Sequence, residues 1–203
     1  MMAEYKVFAP NVMVDSARIV GFISGFPPGM KETGIHILEK HGIIDVRPGG
    51  WYPVQPWLDA MREISERFDS KTLFQITKRW ALQAEIPDDL KSLQTCLSNL
   101  NTLYRDSHQG ENIGRWEYKY EKNGQWKKIT MISTSLYPCS LDLGMITGFV
   151  ELLTPGDSLD LVVEHDKNGL CRCHGNNSCV YTIEWAESSD IYEKSTVSCS
   201  QNF

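Results

Sequence analysis

Along the first half of the chain apolar residues recur at helical spacing, and along the second half they alternate with polar ones. Ile19, Val20, Phe22, Ile23 and Phe26 form one series, and Ile35, Ile37 and Leu38 form another before His41-Gly42. Asp15 or Ser16 supplies a capping oxygen for the first helix, Pro27-Pro28-Gly29 breaks it, and Gly42 ends the second. After the linker Arg47 to Gly50, Leu58, Met61, Ile64 and Phe68 share one helical face, with Pro56 at its start. Leu73, Ile76, Trp80 and Ala84 make a further face that Pro87 closes. Leu93, Leu97, Leu100 and Tyr104 make another, so one helix is expected over 90–105. About five helices are therefore expected in a helical part spanning residues 6–110.

Beyond Gly110 the period changes. Residues 115–121 alternate aromatic with polar, Asn123-Gly124 is a strong hairpin dipeptide, and 126–135 reads as the return strand. Pro138 to Leu153 reads as a helix in which Gly144 and Gly148 leave room for a close neighbour. Residues 159–166 and 179–185 then form a second strand pair, joined by a cysteine-rich turn. The order helices, hairpin, helix, hairpin predicts an α+β fold, with an N-terminal helical layer packed on a C-terminal antiparallel sheet and one intervening helix. We expect a single domain over 1–187, its sheet part spanning 111–187, and a polar tail at 188–203.

Composition narrows the function classes. Twenty basic residues against 26 acidic ones give a net charge of −6, which disfavours nucleic acid and anionic lipid as general partners. No apolar run reaches the length of a membrane span, and the first twenty or so residues lack the basic head and apolar block of a secretory signal. A cytoplasmic setting is expected, where cysteines serve as thiols, ligands or redox groups rather than staples.

Six cysteines are present, and Cys171, Cys173 and Cys179 crowd around His174. With Cys139 they offer soft ligands for zinc, although Cys-x-Cys-His lacks the usual spacing of zinc fingers. Buried thiols in a turn, or a redox pair, are the competing readings. His108 closes a helix ahead of a glycine turn, where an imidazolium suits the helix dipole, or else it faces a pocket. Ser107 beside it is not expected to form a catalytic pair, because neighbouring helical residues diverge. Aromatic residues make up 10% of the chain, and most are expected in the core. No phosphate-binding glycine loop, His-Glu-x-x-His or Gly-x-Ser-x-Gly occurs, so an enzyme is not expected.

Four segments together resemble a known superfamily. They are Leu100-Asn-Thr-Leu-Tyr104-x3-His108-x-Gly-x-Asn112-Ile-Gly114; Tyr137-Pro-Cys139-x2-Asp142-x-Gly144-x-Ile-x-Gly148; Cys171-x-Cys173-His174-Gly175; and Ser178-Cys179-x-Tyr181-x-Ile183-x-Trp185. The chain is similar in these to bacterial ligand-binding domains related to the heme-nitric-oxide-binding sensors, the four-vinyl-reductase (hydrocarbon-binding) domains and the TRAPP tethering subunits. The resemblance covers residues 15–187 and implies a ligand held between helices and sheet. In the heme-binding branch a helical His holds iron and Tyr-x-Ser-x-Arg engages the propionates. Here Tyr104 stands at the His position and that motif is missing, so heme is not expected. The hydrocarbon-binding branch implies a metal at the segment matching its cysteines, with Cys171, Cys173, His174 and Cys179, and Cys139 joins these as a candidate from the residues themselves.

The expected function is thus a non-catalytic sensor that binds an apolar ligand, such as a fatty-acyl chain or acyl-coenzyme A. Trp51, Tyr52, Trp57, Trp80, Tyr104 and Phe149 are its expected cavity residues, and His108 and Arg115 its polar anchors. A homodimer or a signalling partner would receive the signal. The alternatives are an interaction scaffold resembling the TRAPP subunits and a heme-based gas sensor.

Overall fold

The computed structural model describes residues 5–154, 161–166 and 169–186. Two layers form the fold, and each follows from the periodicities above. β1 (Met13–Asp15) runs into α1 (Ser16–Ser24), whose first turn is closed by the Asp15 carboxylate accepting from Arg18 N–H at 3.0 Å. α2 (Lys31–Lys40) follows, then β2 (Trp51–Pro53), α3 (Val54–Arg67) and α4 (Ser70–Leu82).

The expected helix over 90–105 is two helices, α5 (Leu93–Ser98) and α6 (Leu100–Asp106), after a 3-10 turn at Asp88–Leu90. The reason is capping. Ser92 and Thr95 form a reciprocal box that starts α5, and the Asn99 amide donates to the Thr95 carbonyl at 2.8 Å, ending it. The apolar face continues across the break, so periodicity alone did not reveal it.

β3 (His108–Gln109) pairs with β1, and β1 pairs with β2, giving a small antiparallel sheet that the sequence reading missed. Strands of two and three residues carry too little alternation to be seen. This ladder matters because Val14 opposite His108 fixes the backbone at the end of α6.

The main sheet has the order β4-β5-β7-β6, all antiparallel, with β4 (Trp116–Asn123), β5 (Trp126–Ser133), β6 (Val162–His165) and β7 (Cys179–Ala186). Asn123 opposite Trp126 confirms the Asn-Gly hairpin, and Cys179, Tyr181, Ile183 and Trp185 alternate inward along β7. Between β5 and β6 lies α7 (Cys139–Leu153), buried along most of its length. A Cβ on Gly144 would come within 2.2 Å of the Phe74 carbonyl, and one on Gly148 within 2.6 Å of Ala81 Cβ. These glycines let α7 lie directly on α4, and Thr77 Oγ1 bridges the pair by donating to the Leu141 carbonyl at 2.8 Å. Buried α7 side chains such as Ile146 and Val150 contribute about 1.5–3 kcal/mol each.

The α+β architecture agrees with the expectation. The polar stretch 188–203 lies outside the described residues, as do the first two positions of the expected strand 159–166. Among the described residues no helix is long and apolar enough to cross a membrane.

Candidate functional site

Where the helices face the segment leading into α7, a cavity of about 40 Å³ remains. Phe22, Trp57, Trp80, Leu100, Leu141 and Met145 give it apolar walls, and Arg18, Thr77, Tyr104, His108, Tyr137 and Asp142 give it polar ones. His108 is its best-defined polar group. Its Nδ1 lies 2.6 Å from the Tyr104 carbonyl, which only accepts, so Nδ1 carries the proton. Nε2 then accepts from the Tyr137 hydroxyl at 2.6 Å. Burial pushes this imidazole down to about 4, and the Arg18 charge adds to the effect, so His108 is neutral at pH 7.

Arg18 donates from Nε to Ser107 Oγ at 3.0 Å and from Nη2 to the Leu103 carbonyl at 2.9 Å, with its guanidinium 5.7 Å over the Trp80 ring. Trp57 is different. Its ring stands edge-on to Phe22 and Tyr137, and its buried indole N–H has no hydrogen-bond partner among the described residues.

Ser107 and His108 do meet, contrary to the sequence expectation, with Oγ 3.2 Å from Nδ1. The helix ends at Asp106, so the two side chains no longer diverge. The pair still lacks a catalytic arrangement, because Nδ1 holds a proton for Tyr104 and cannot take one from Ser107, whose own hydroxyl donates to the same carbonyl at 3.0 Å.

Behind the cavity lies a buried ion pair. Asp142 Oδ2 accepts from Ser133 and Ser135 hydroxyls, each at 2.9 Å, and sits 3.3 Å from Arg172 Nη2. Burial raises this carboxyl to about 7, while Arg172 and the two serines oppose the shift. The Arg172 guanidinium also donates to the carbonyls of Ser135 and Tyr137.

A second cluster forms beside this pair. Cys139 opens α7, His165 ends β6, Cys179 opens β7, and Cys171 precedes the 3-10 turn Arg172–His174. One ligand atom from each of these four lies within 4.8 Å of the other three. Two sulfurs and the imidazole come from element ends that the sheet register fixes, with His165 opposite Tyr181 and Cys179 opposite Ser133. Hydrogen bonds from Cys139, His165 and the Arg172 backbone hold the Cys179 thiol well below its ordinary value, which favours the thiolate that binds metals. His165 Nε2 is buried without a partner among the described residues.

The structure sorts the expected residues. Trp57, Trp80, Tyr104 and His108 do line the cavity; Trp51, Tyr52, Arg115 and Phe149 do not. Trp51 is exposed on β2, Tyr52 accepts from Arg47 N–H at its hydroxyl, and Arg115 is an exposed partner of Glu117. Phe149 packs on Trp80, 6.1 Å between rings, one helical turn beyond Met145 and away from the cavity. Tyr104 gives its hydroxyl to the Ile113 carbonyl and so contributes a ring face.

In the cysteine cluster, Cys139, Cys171 and Cys179 come together as expected, but exposed His174 stays outside and His165 takes its place. The αL glycine at 175 turns the chain away immediately after His174. Cys173 lies at the margin, with Sγ 3.2 Å from Cys139 Sγ. Arg18, Tyr137, Asp142 and His165 were the residues missed. Of these, Tyr137 and Asp142 stood in the quoted motif, and Arg18 and His165 gave no signal.

Neither the protein-family models nor the curated proteins contain a match to this chain. Solved structures do match in fold. An oxygen-binding H-NOX domain related to soluble guanylate cyclases superposes with a TM-score of 0.57 at 9% identity, over 88% of this chain and 97% of that one. A protein solved for work on heme redox potential and porphyrin distortion gives 0.55 at 11%, over 85% and 99%. One from a study of H-NOX activation gives 0.54 at 13%, over 86% and 97%. The fold is therefore that of the H-NOX domains, in agreement with that part of the resemblance.

One expectation about ligands is corrected, and a second is left without support. The reading that set heme aside rested on a missing motif and on Tyr104, and fold neighbours from work on heme, matched over nearly their whole length, stand against it. The acyl-chain reading gains no support: the cavity, at about 40 Å³ and with mostly apolar walls, takes neither an acyl chain nor a heme unless the helices open.

Proposed function

We propose that this chain is a non-catalytic sensor domain that takes a small ligand into the cavity around His108. What supports this reading above all is a neutral imidazole enclosed by aromatic walls, with no proton acceptor placed beside a nucleophile. Heme with a diatomic gas is the ligand that the H-NOX neighbours favour, and the donor set suits it in chemistry. His108 would offer a neutral ring nitrogen to the iron, and Arg18 a half-buried cation to a carboxylate. Heme, when bound, would supply the iron that takes up the gas. His108 would first have to release the Tyr137 hydroxyl, and the helices would have to stand further from the sheet, since small-molecule sites occupy about 300–1,000 Å³.

A second reading rests on Trp57. A compact ligand with a hydrogen-bond acceptor would satisfy its indole N–H with little opening of the cavity. Either ligand would act by shifting the helical layer, for a signalling partner or a second copy to read in a cytoplasmic setting.

Purified chain mixed with hemin decides between them. A Soret band that vanishes in His108→Gly and returns with added imidazole supports heme. No band, but an added organic mass in the native spectrum of fresh protein, supports the compact ligand. If neither ligand appears, the sensor reading fails.

We propose in addition that Cys139, His165, Cys171 and Cys179 hold one zinc ion. Three sulfurs and an imidazole complete a tetrahedral set with no open position, which makes the centre structural rather than catalytic. His165→Ala should lose the metal and His174→Ala should keep it; the reverse outcome would restore the original ligand set.

A further inference from the structure

One side chain, that of Arg172, links the sulfur cluster to the segment that borders the cavity. It lies between Cys171 and Cys173 in the chain and is 1% exposed. Its backbone N–H points at Cys179 Sγ, 3.5 Å away. Its guanidinium reaches in the other direction, to the carbonyls of Ser135 and Tyr137 and to Asp142. Of these, Tyr137 and Asp142 line the cavity. Tyr137 carries the hydroxyl that meets His108, Leu136 N–H donates to the Tyr104 hydroxyl at 3.2 Å, and Asp142 itself lines the space. Cys139, two residues past Tyr137, returns the chain to the cluster.

We propose that Arg172 is a positioning residue through which metal in the sulfur cluster sets the polar wall of the cavity. The proposal rests on the zinc reading above. A metal bound to Cys171 and Cys179 fixes the turn from which Arg172 projects, and metal on Cys139 fixes the start of α7. Both ends of the 135–139 segment are then held, one by the guanidinium and one by the ion. Tyr137 has a single place to stand, and with it the hydrogen bond to His108. By thermodynamic reciprocity, whatever displaces the Tyr137 hydroxyl from His108 changes metal affinity by the same factor. A plain structural zinc site would stabilise the whole fold without singling out this segment.

The experiment uses the full chain, stripped with a chelator and titrated with Zn²⁺. Native mass gives metal uptake, hydrogen exchange gives protection at the Leu136 and Tyr137 amides, and the Trp57 indole resonance reports on the cavity. One equivalent of zinc should slow exchange at 136–137 by about tenfold more than at the Ile129 and Met131 amides of β5, and should shift the Trp57 signal. Arg172→Lys keeps the charge beside Asp142 but cannot bridge two carbonyls. It should bind zinc with the selective protection and the Trp57 shift lost. If Arg172→Lys does not fold, the wild-type comparison between 136–137 and β5 decides alone. Zinc uptake with uniform protection overturns the coupling and leaves the metal centre standing; no zinc uptake overturns both.

Discussion

The cavity and the sulfur cluster are both polar sites in a buried interior, yet they differ in how far the protein completes them. Around His108 most polar groups have protein partners: both ring nitrogens are engaged, Tyr104 and Tyr137 have acceptors, and Arg18 is held at two positions. In the cluster three sulfurs crowd one another, Cys179 favours the anion, and His165 Nε2 is buried without a partner among the described residues. A ligand entering the cavity has to displace bonds the protein already makes. An ion entering the cluster meets sulfurs that hydrogen-bond largely to one another, and a buried imidazole nitrogen without a partner among the described residues. The first arrangement suits reversible sensing, and the second suits a resident metal.

The largest effect should come from breaking the pair that separates the two regions. Arg172→Ala leaves the Asp142 carboxyl buried at 1% exposure with only two serine hydroxyls, and removal of one partner from such a pair costs about 3–5 kcal/mol. Urea unfolding should show it, and Asp142→Asn in the same background should recover much of the loss. A full-sized defect that Asp142→Asn leaves untouched would mean that Arg172 acts through its two carbonyls instead.

Next in size is a pH effect in which His108 and Asp142 oppose each other. His108 ionises at about 4 in the fold against 6.5 unfolded, so its contribution is fully present above pH 6.5 and is lost as pH falls to 4, by about 3 kcal/mol in all. Asp142 ionises at about 7 against 3.8, so its contribution is fully present below pH 3.8 and is lost as pH rises to 7. Between pH 4 and 6.5 the slopes have opposite signs, and the wild-type stability should change little on their account. His108→Gln should become less stable as pH rises across this window, and Asp142→Asn less stable as it falls. Urea midpoints at pH 4.5, 5.5 and 6.5 give both slopes; parallel profiles for the two variants would refute the assignment.

The two regions were also unequally legible from the sequence. α3, α4 and α7 follow from apolar spacing, and the Asn123-Gly124 hairpin from its turn chemistry, because each signal is local. Trp57, Trp80, Tyr104 and His108 were reachable for the same reason: they lie on or next to amphipathic helices whose buried face is readable. Arg18 was not, since a cation in the first turn of a helix reads as solvated until Ser107 and Leu103 close over it. In the cluster, the nearest histidine in sequence was taken as the ligand. Strand pairing decides otherwise, because β6 brings His165 beside Tyr181 while Gly175 leaves His174 in solvent. Trp51 and Phe149 show the opposite error, in which aromatic character was read as cavity lining without a register to place it.

The smallest effect tests the completeness of the cavity. Tyr137→Phe removes one oxygen from a buried ring and leaves His108 Nε2 without its donor, a loss of about 1–3 kcal/mol for a stranded buried acceptor. The ring itself still packs edge-on against Trp57 at 5.2 Å, so the apolar contribution stays. The freed nitrogen changes what the cavity can hold. With no competing hydroxyl, His108 should take an added metalloporphyrin, or any ligand that donates to Nε2, more readily than in the parent chain. Tyr137→Phe should therefore lose stability and gain ligand affinity together. If it loses stability with affinity unchanged, the Tyr137 hydroxyl does not guard the site, and the cavity opens without releasing that bond.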